Sequence, residues 1–236
     1  MYEIGILPFS LLGFGFLLGI KHAFDADHIA ALSAIVSKNE PIKSSSLLGM
    51  FWGFGHTISL LVVGLVILLL KISIPEKIVL SLEFIVGIML VLLGINVVMA
   101  INKNKIHFHK HIHGKEEHIH VHSHKLKKNH AHEHTTLYQS LSIGLIHGLA
   151  GSAAITLFVL TTIKSFWIGM IYMLTFGIGS MAGMIMVSSI ISLPFIIISS
   201  KFKKIHKIMD VSAGLISIVM GLSILYGIGF VEGLLK

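Results

Sequence analysis

A chain of 236 residues that is 54% hydrophobic and only 12% charged is not an ordinary soluble domain, in which charged residues make up about 25%. Its mean hydropathy of +0.89, with several apolar runs near the ~20 residues a helix needs to cross a bilayer, describes a polytopic membrane protein. It has no cysteine, which excludes disulfides and thiolate metal sites, and its 18 basic residues are all lysine, clustered between apolar runs and thus a poor match for a nucleic-acid surface.

The expected fold class is all-α, with six transmembrane helices over roughly 4–36, 46–70, 78–101, 137–163, 166–198 and 206–231. The first run shows no cleavage-like end of a signal peptide. It is long enough to be bent or broken, and it holds His22-Ala-Phe-Asp25-Ala-Asp27-His28. Each ionisable group placed in hydrocarbon costs from about 2.5 kcal/mol on insertion scales, so two carboxylates and two imidazoles within seven residues call for a compensating partner. A bound cation supplies one. On a regular helix His22, Asp25 and His28 fall within an arc of roughly 120° and can face one site. Asp27 then orients a histidine, pairs with Lys21, or reaches the site through a helix break. Imidazole plus carboxylate suits nickel, cobalt, zinc or copper(II) better than magnesium or calcium. The bland alternative is a polar helix end solvated by headgroup water.

In the second helix His56 follows Gly53-Phe54-Gly55. Glycines there allow close backbone approach, and His56 is either a ligand or a packed imidazole. Glu83, near the start of the third helix, and Asp210, near the start of the sixth, are transport carboxylates or interfacial acids favoured by the helix dipole. Asn96 is a weaker candidate of the same kind. Residues 102–136 form the one long connection. Within it lie His107, His109, His111, His113, His118, His120, His122, His124, His130, His132 and His134, 11 of the 16 histidines. Interleaved Lys and Glu make this segment polar and disordered on its own, a weak multivalent metal buffer or sensor rather than a translocation site. The fourth helix carries His147-Gly148-Leu-Ala-Gly151-Ser152, a ligand, gate or packing motif. The fifth contains Gly177, Gly179, Gly183 and Pro194, tolerable in a membrane helix that lines a cavity or packs closely.

Two halves of the chain align. Gly19-Ile20-Lys21-His22-Ala23 matches Gly144-Leu145-Ile146-His147-Gly148, Gly53-Phe54-Gly55-His56 matches Gly177-Ile178-Gly179-Ser180, and Glu83, Gly87 and Gly94 match Asp210, Gly214 and Gly221. The expected organisation is therefore a three-helix repeat over 1–101, the His-rich loop over 102–136, and a second repeat over 137–236. Three is odd, so the second unit enters from the opposite side, the inverted repeat common in secondary transporters. The face holding 37–45, 102–136, 199–205 and Lys207 carries 13 lysines against 4 on the other. That bias places the His-rich loop in the cytoplasm and both termini outside; the expected location is the plasma membrane of a prokaryote.

His22-Ala-Phe-Asp25-Ala-Asp27-His28-Ile29 resembles the H-x4-D-H signature of the nickel/cobalt transporter family, and Phe54-Gly55-His56-Thr57 resembles its second G-H-[ST] motif. The resemblance implies a secondary permease for Ni2+ or Co2+, with the metal as substrate and no cofactor. It makes His22, Asp27 and His28 essential and His56 close behind. Eight-helix importers carry an acidic motif where this chain reads His147-Gly-Leu-Ala-Gly-Ser-Ala-Ala, which looks more like the six-helix branch of urease-associated accessory permeases. The His-rich loop resembles that of efflux proteins, whereas the acidic first motif is that of importers, and the balance leans to uptake. Implied partners are the divalent ion, the lipid bilayer, and a cytosolic metallochaperone or urease or hydrogenase maturation proteins. Competing readings are an exporter, a zinc permease and a membrane His-box metalloenzyme. The last is disfavoured because only His22, His28, His56 and His147 lie within the helices.

Overall fold

The computed structural model describes residues 6–36, 42–70, 74–103, 109–113, 116–120, 131–150, 165–199 and 203–235. Their body is wholly helical. The helices are α1 (Ile6–His22), α2 (Ala26–Val36), α3 (Ile42–Leu70), α4 (Glu76–Lys103), α5 (Ala131–Ala150), α6 (Phe166–Ser199) and α7 (Lys203–Tyr226). A π-helical turn, Gly227–Val231, ends α7. Four of these stretches, Ile42–Leu70, Glu76–Ala100, Phe166–Ile198 and Lys204–Val231, are long and apolar enough to cross a membrane. The long first helix is broken into α1 and α2. Residues 151–163 of the fourth expected helix lie outside the described residues.

The loop between α4 and α5 carries a two-stranded antiparallel ribbon, β1 (His109–His113) and β2 (Glu116–His120), whose register pairs His109 with His120 and His111 with His118. It is the only β structure among the described residues. His107, His122, His124 and His130 lie outside them.

Lipid is as apolar as leucine, so membrane helices associate through close packing and interhelical hydrogen bonds rather than through burial of apolar surface. The chain supplies both. Helix α1 packs along α6, α3 lies against both α5 and α6, α4 runs along α7, and α2 touches α4, α6 and α7. Glycines make the contacts backbone-close. A Cβ on Gly19 would strike the Phe176 carbonyl, and one on Gly144 would strike that of Trp52. Gly179 meets the Phe16 carbonyl and Gly55 that of Leu141. Gly94 and Gly214 face each other's carbonyls across α4 and α7, as do Gly87 and Gly221. Hydroxyls bond across the same seams. Ser59 donates to the Leu145 carbonyl at 2.7 Å, Ser140 to Leu48 at 2.6 Å and Ser217 to Leu90 at 2.8 Å. Each such bond is worth about 0.6–2 kcal/mol in a membrane. The inner core is built of small and flat side chains, Ala23, Ala30, Ala31, Leu32, Trp52, Leu90 and Met184 among them. Large apolar residues such as Leu17, Leu69, Ile197 and Val219 point outward, where lipid would cover them.

Candidate metal centre

The break between α1 and α2 decides which carboxylates reach the centre. At the end of α1 the hydrogen bonds tighten from i−4 to i−3, with Phe24 N donating to the Lys21 carbonyl and Asp25 N to that of His22, both at 3.0 Å. Helix α2 then starts afresh, its Ile29 N donating to the Asp25 carbonyl at 3.1 Å. Asp25 thus stands at the N-cap position, where an aspartate is favoured, and Asp27 lies in the first turn, where the helix dipole favours an anion. The side-chain directions of one regular helix no longer apply.

Both carboxylates turn to histidines. Asp25 Oδ2 is 2.7 Å from His22 Nδ1. Asp27 Oδ1 accepts from the His28 backbone N at 2.9 Å and lies 3.0 Å from His28 Nδ1. Its other oxygen is 3.0 Å from Nε2 of His147, delivered by α5 from 120 residues away. No contact with Lys21 is made by Asp27 among these bonds. An ionised carboxylate only accepts, so each of these ring nitrogens carries a proton, and in a neutral imidazole the opposite nitrogen then keeps its lone pair. The free ring nitrogens are therefore Nε2 of His22, Nε2 of His28 and Nδ1 of His147.

Those nitrogens are buried and have no partner, as do both ring nitrogens of His56. His28, His56 and His147 are fully buried. The His22 ring lies 4.5 Å from that of His28 and 5.2 Å from that of His56, and the His28 and His56 rings are 5.5 Å apart. The His147 ring approaches His28 at 4.2 Å. Two overlapping donor sets result, His22–His28–His56 and Asp27–His28–His147, each with ligand atoms within 4.8 Å of one another. Imidazole nitrogens bind divalent transition metals at about 2.0–2.1 Å. The first set offers unpartnered nitrogens directly, whereas in the second the His28 and His147 nitrogens that face Asp27 carry protons, so a ring must turn or give up its proton before carboxylate and imidazoles share one ion. A buried polar atom without a partner is costly, and a divalent cation would satisfy several here at once.

The remaining sequence candidates are distributed differently. Asp25, half exposed, touches the cluster through His22. Ser180 is buried with an unpartnered hydroxyl, and its backbone abuts Gly19, one turn before His22. Glu83 and Asp210 belong to neither donor set. Asp210 instead lies 3.0 Å from His206 Nδ1, an i,i+4 pair on α7. That pair was readable from its spacing. Trp52 had no sequence signal at all, being one aromatic in an apolar helix, yet its ring lies near-parallel to that of His28 at 6.0 Å and tilted to that of His147 at 5.6 Å. Phe176 lies 5.6 Å from His22.

Fold and centre together define an integral membrane protein with an imidazole-rich donor set buried among its helices. Residues 9–232 match the NicO family, described as high-affinity nickel-transport protein, and the chain belongs to that family, one of transporters rather than enzymes. It is 40% identical over 227 residues to urease accessory protein UreH of Bacillus sp. (strain TB-90), covering 96% of this chain and 95% of that protein. No solved structure matches it.

Proposed function

We propose that this chain is a secondary permease that carries Ni2+ or Co2+ inward, using His22, His28 and His56 as first ligands and His147 with Asp27 as the next station. The observation that carries this reading is the gathering of buried, unpartnered imidazole nitrogens into groups whose ligand atoms lie within 4.8 Å of one another. Neutral imidazole nitrogen suits nickel and cobalt, and binding weakens in acid because protons compete for the same lone pairs. The relative's description as a urease accessory protein supports delivery of nickel towards urease maturation. Uptake also needs no further energy source, since a membrane potential, inside negative, favours entry of a dication by about 4.6 kcal/mol per 100 mV. The His-rich loop favours the alternative of efflux, which would require a counter-ion.

The proposal extends to architecture: six membrane-crossing segments in two inverted halves, with the His-rich loop cytoplasmic and both termini outside. The reciprocal glycine contacts support it. Gly19 against Phe176 and Gly144 against Trp52 are one contact repeated, since 19 and 144 differ by 125 and 176 and 52 by 124. Gly179 against Phe16 and Gly55 against Leu141 repeat in the same way. The function is tested by metal flux into proteoliposomes with nickel, cobalt and zinc compared. Nickel or cobalt flux that His28→Ala abolishes is expected, and zinc-only flux would overturn the substrate assignment.

A further inference from the structure

A cavity of about 390 Å³ opens among α2, α3, α4 and α5, and the metal centre does not use it. Its apolar walls come from Ile35, Leu48 and Leu93, while Asn96, Gln139 and Ser142 add amide and hydroxyl groups. Asn96 and Gln139 are both exposed. An amide facing lipid from within a spanning helix is costly, whereas one lining a water-filled cavity is not. The polar groups are all neutral oxygen or nitrogen, suited to holding an ion through its hydration water rather than stripping it.

The location is specific. The cavity is walled by the C-terminal part of α4 and the N-terminal part of α5, the two helices that the His-rich loop connects. The histidine cluster lies deeper along three of the same helices, with Trp52 at the turn between. On α3 the order is Leu48 of the cavity, Trp52, then His56. On α5 it is Ser140 and Ile143 of the cavity, then Gly144 packed against the Trp52 carbonyl, then His147. On α2, Ala31 and Leu32 separate Ala34 and Ile35 of the cavity from His28. Trp52, Ala31 and Leu32 are fully buried, and Trp52 and Ala31 share one packed cluster with Leu32.

We infer that this cavity is a water-filled vestibule that takes a hydrated divalent cation between the His-rich loop and the histidine cluster, with Trp52 as the barrier between vestibule and cluster. The inference rests on the permease reading above. It gives the loop a structural route to the centre: an ion passes between loop and vestibule with its water shell intact, and loses or regains that shell only at Trp52.

Because the native chain has no cysteine, single-cysteine variants report without background. Gln139→Cys and Asn96→Cys, each shown to transport, are treated with a charged, membrane-impermeant methanethiosulfonate in sealed vesicles of both orientations. Lys115→Cys in the loop marks the loop's face. Both cavity positions are expected to react from that same face, to react several-fold more slowly with Co2+ present, and to lose most of their flux once modified. No reaction, as in a lipid-filled groove, reaction from the opposite face, or modification without loss of flux would overturn the vestibule. For the barrier, His56→Cys is expected to be shielded beside native Trp52 and to react from the loop face with Trp52→Ala, or with Trp52→Leu where the smaller residue fails to insert. Equal shielding in folded protein would overturn that role. His28→Ala keeps the two readings apart. If it transports normally the cluster assignment fails, whereas if it is inactive and modified Gln139→Cys still transports, only the vestibule fails.

Discussion

Asp25 and Asp27 lie two residues apart and hold different histidines. Asp25 serves one ring, whereas Asp27 braces both His28 and His147. A carboxylate that fixes a ligating imidazole is worth about 10–100-fold in metal affinity. Asp25→Asn is therefore expected to weaken cobalt binding within that range while keeping measurable transport, and Asp27→Asn to weaken it more. Calorimetric titration of protein lacking residues 107–134 checks this, because the loop would otherwise mask the site. Equal losses from the two variants would contradict the division of labour. The density of His and Asp in the first helix made this region legible as a centre. Which aspartate reaches inward was not legible, because helical periodicity describes only an unbroken helix and the break at residues 23–25 resets it. His147 was visible through its alignment with His22, yet its bond to Asp27 depends on tertiary packing alone.

Helix pairing rests on positions where no side chain fits. A Cβ on Gly94 would meet the Gly214 carbonyl, which belongs to the backbone and cannot rotate away, whereas one on Gly13 would meet nothing within 4 Å. Gly94→Ala should thus destabilise the protein by about 1–3 kcal/mol, as overpacking does, and Gly13→Ala should be neutral or slightly stabilising. Thermal unfolding in detergent separates the two, and equal midpoints would show that the α4–α7 seam is looser than described. The second, third, fifth and sixth expected helices were legible because long apolar runs set off by lysine clusters leave little choice, whereas the break in the first was only allowed for. The pairing of α1 with α6 and of α3 with α5 was not stated by any one run. It emerges from matching glycines in the two halves, read together.

In the proposed reading, metal capacity and metal passage belong to different parts of the molecule. Residues 107–134 hold 11 of 16 histidines, of which His132 and His134 fall in the first turn of α5, and the four that converge lie deeper in the helices. Removing residues 107–134 is expected to reduce greatly the nickel bound per chain, measured by equilibrium dialysis, while transport remains detectable. Abolished flux in folded, loop-deleted protein would make the loop part of the pathway. Acid should weaken metal binding, because protons compete for the same imidazole lone pairs. The most direct test is the initial rate of cobalt or nickel entry into proteoliposomes for wild-type protein and for His28→Ala, with insertion of both verified. His28 belongs to both donor sets, so its loss should abolish entry. Entry at the wild-type rate in His28→Ala would show that the metal does not pass through the buried histidine cluster.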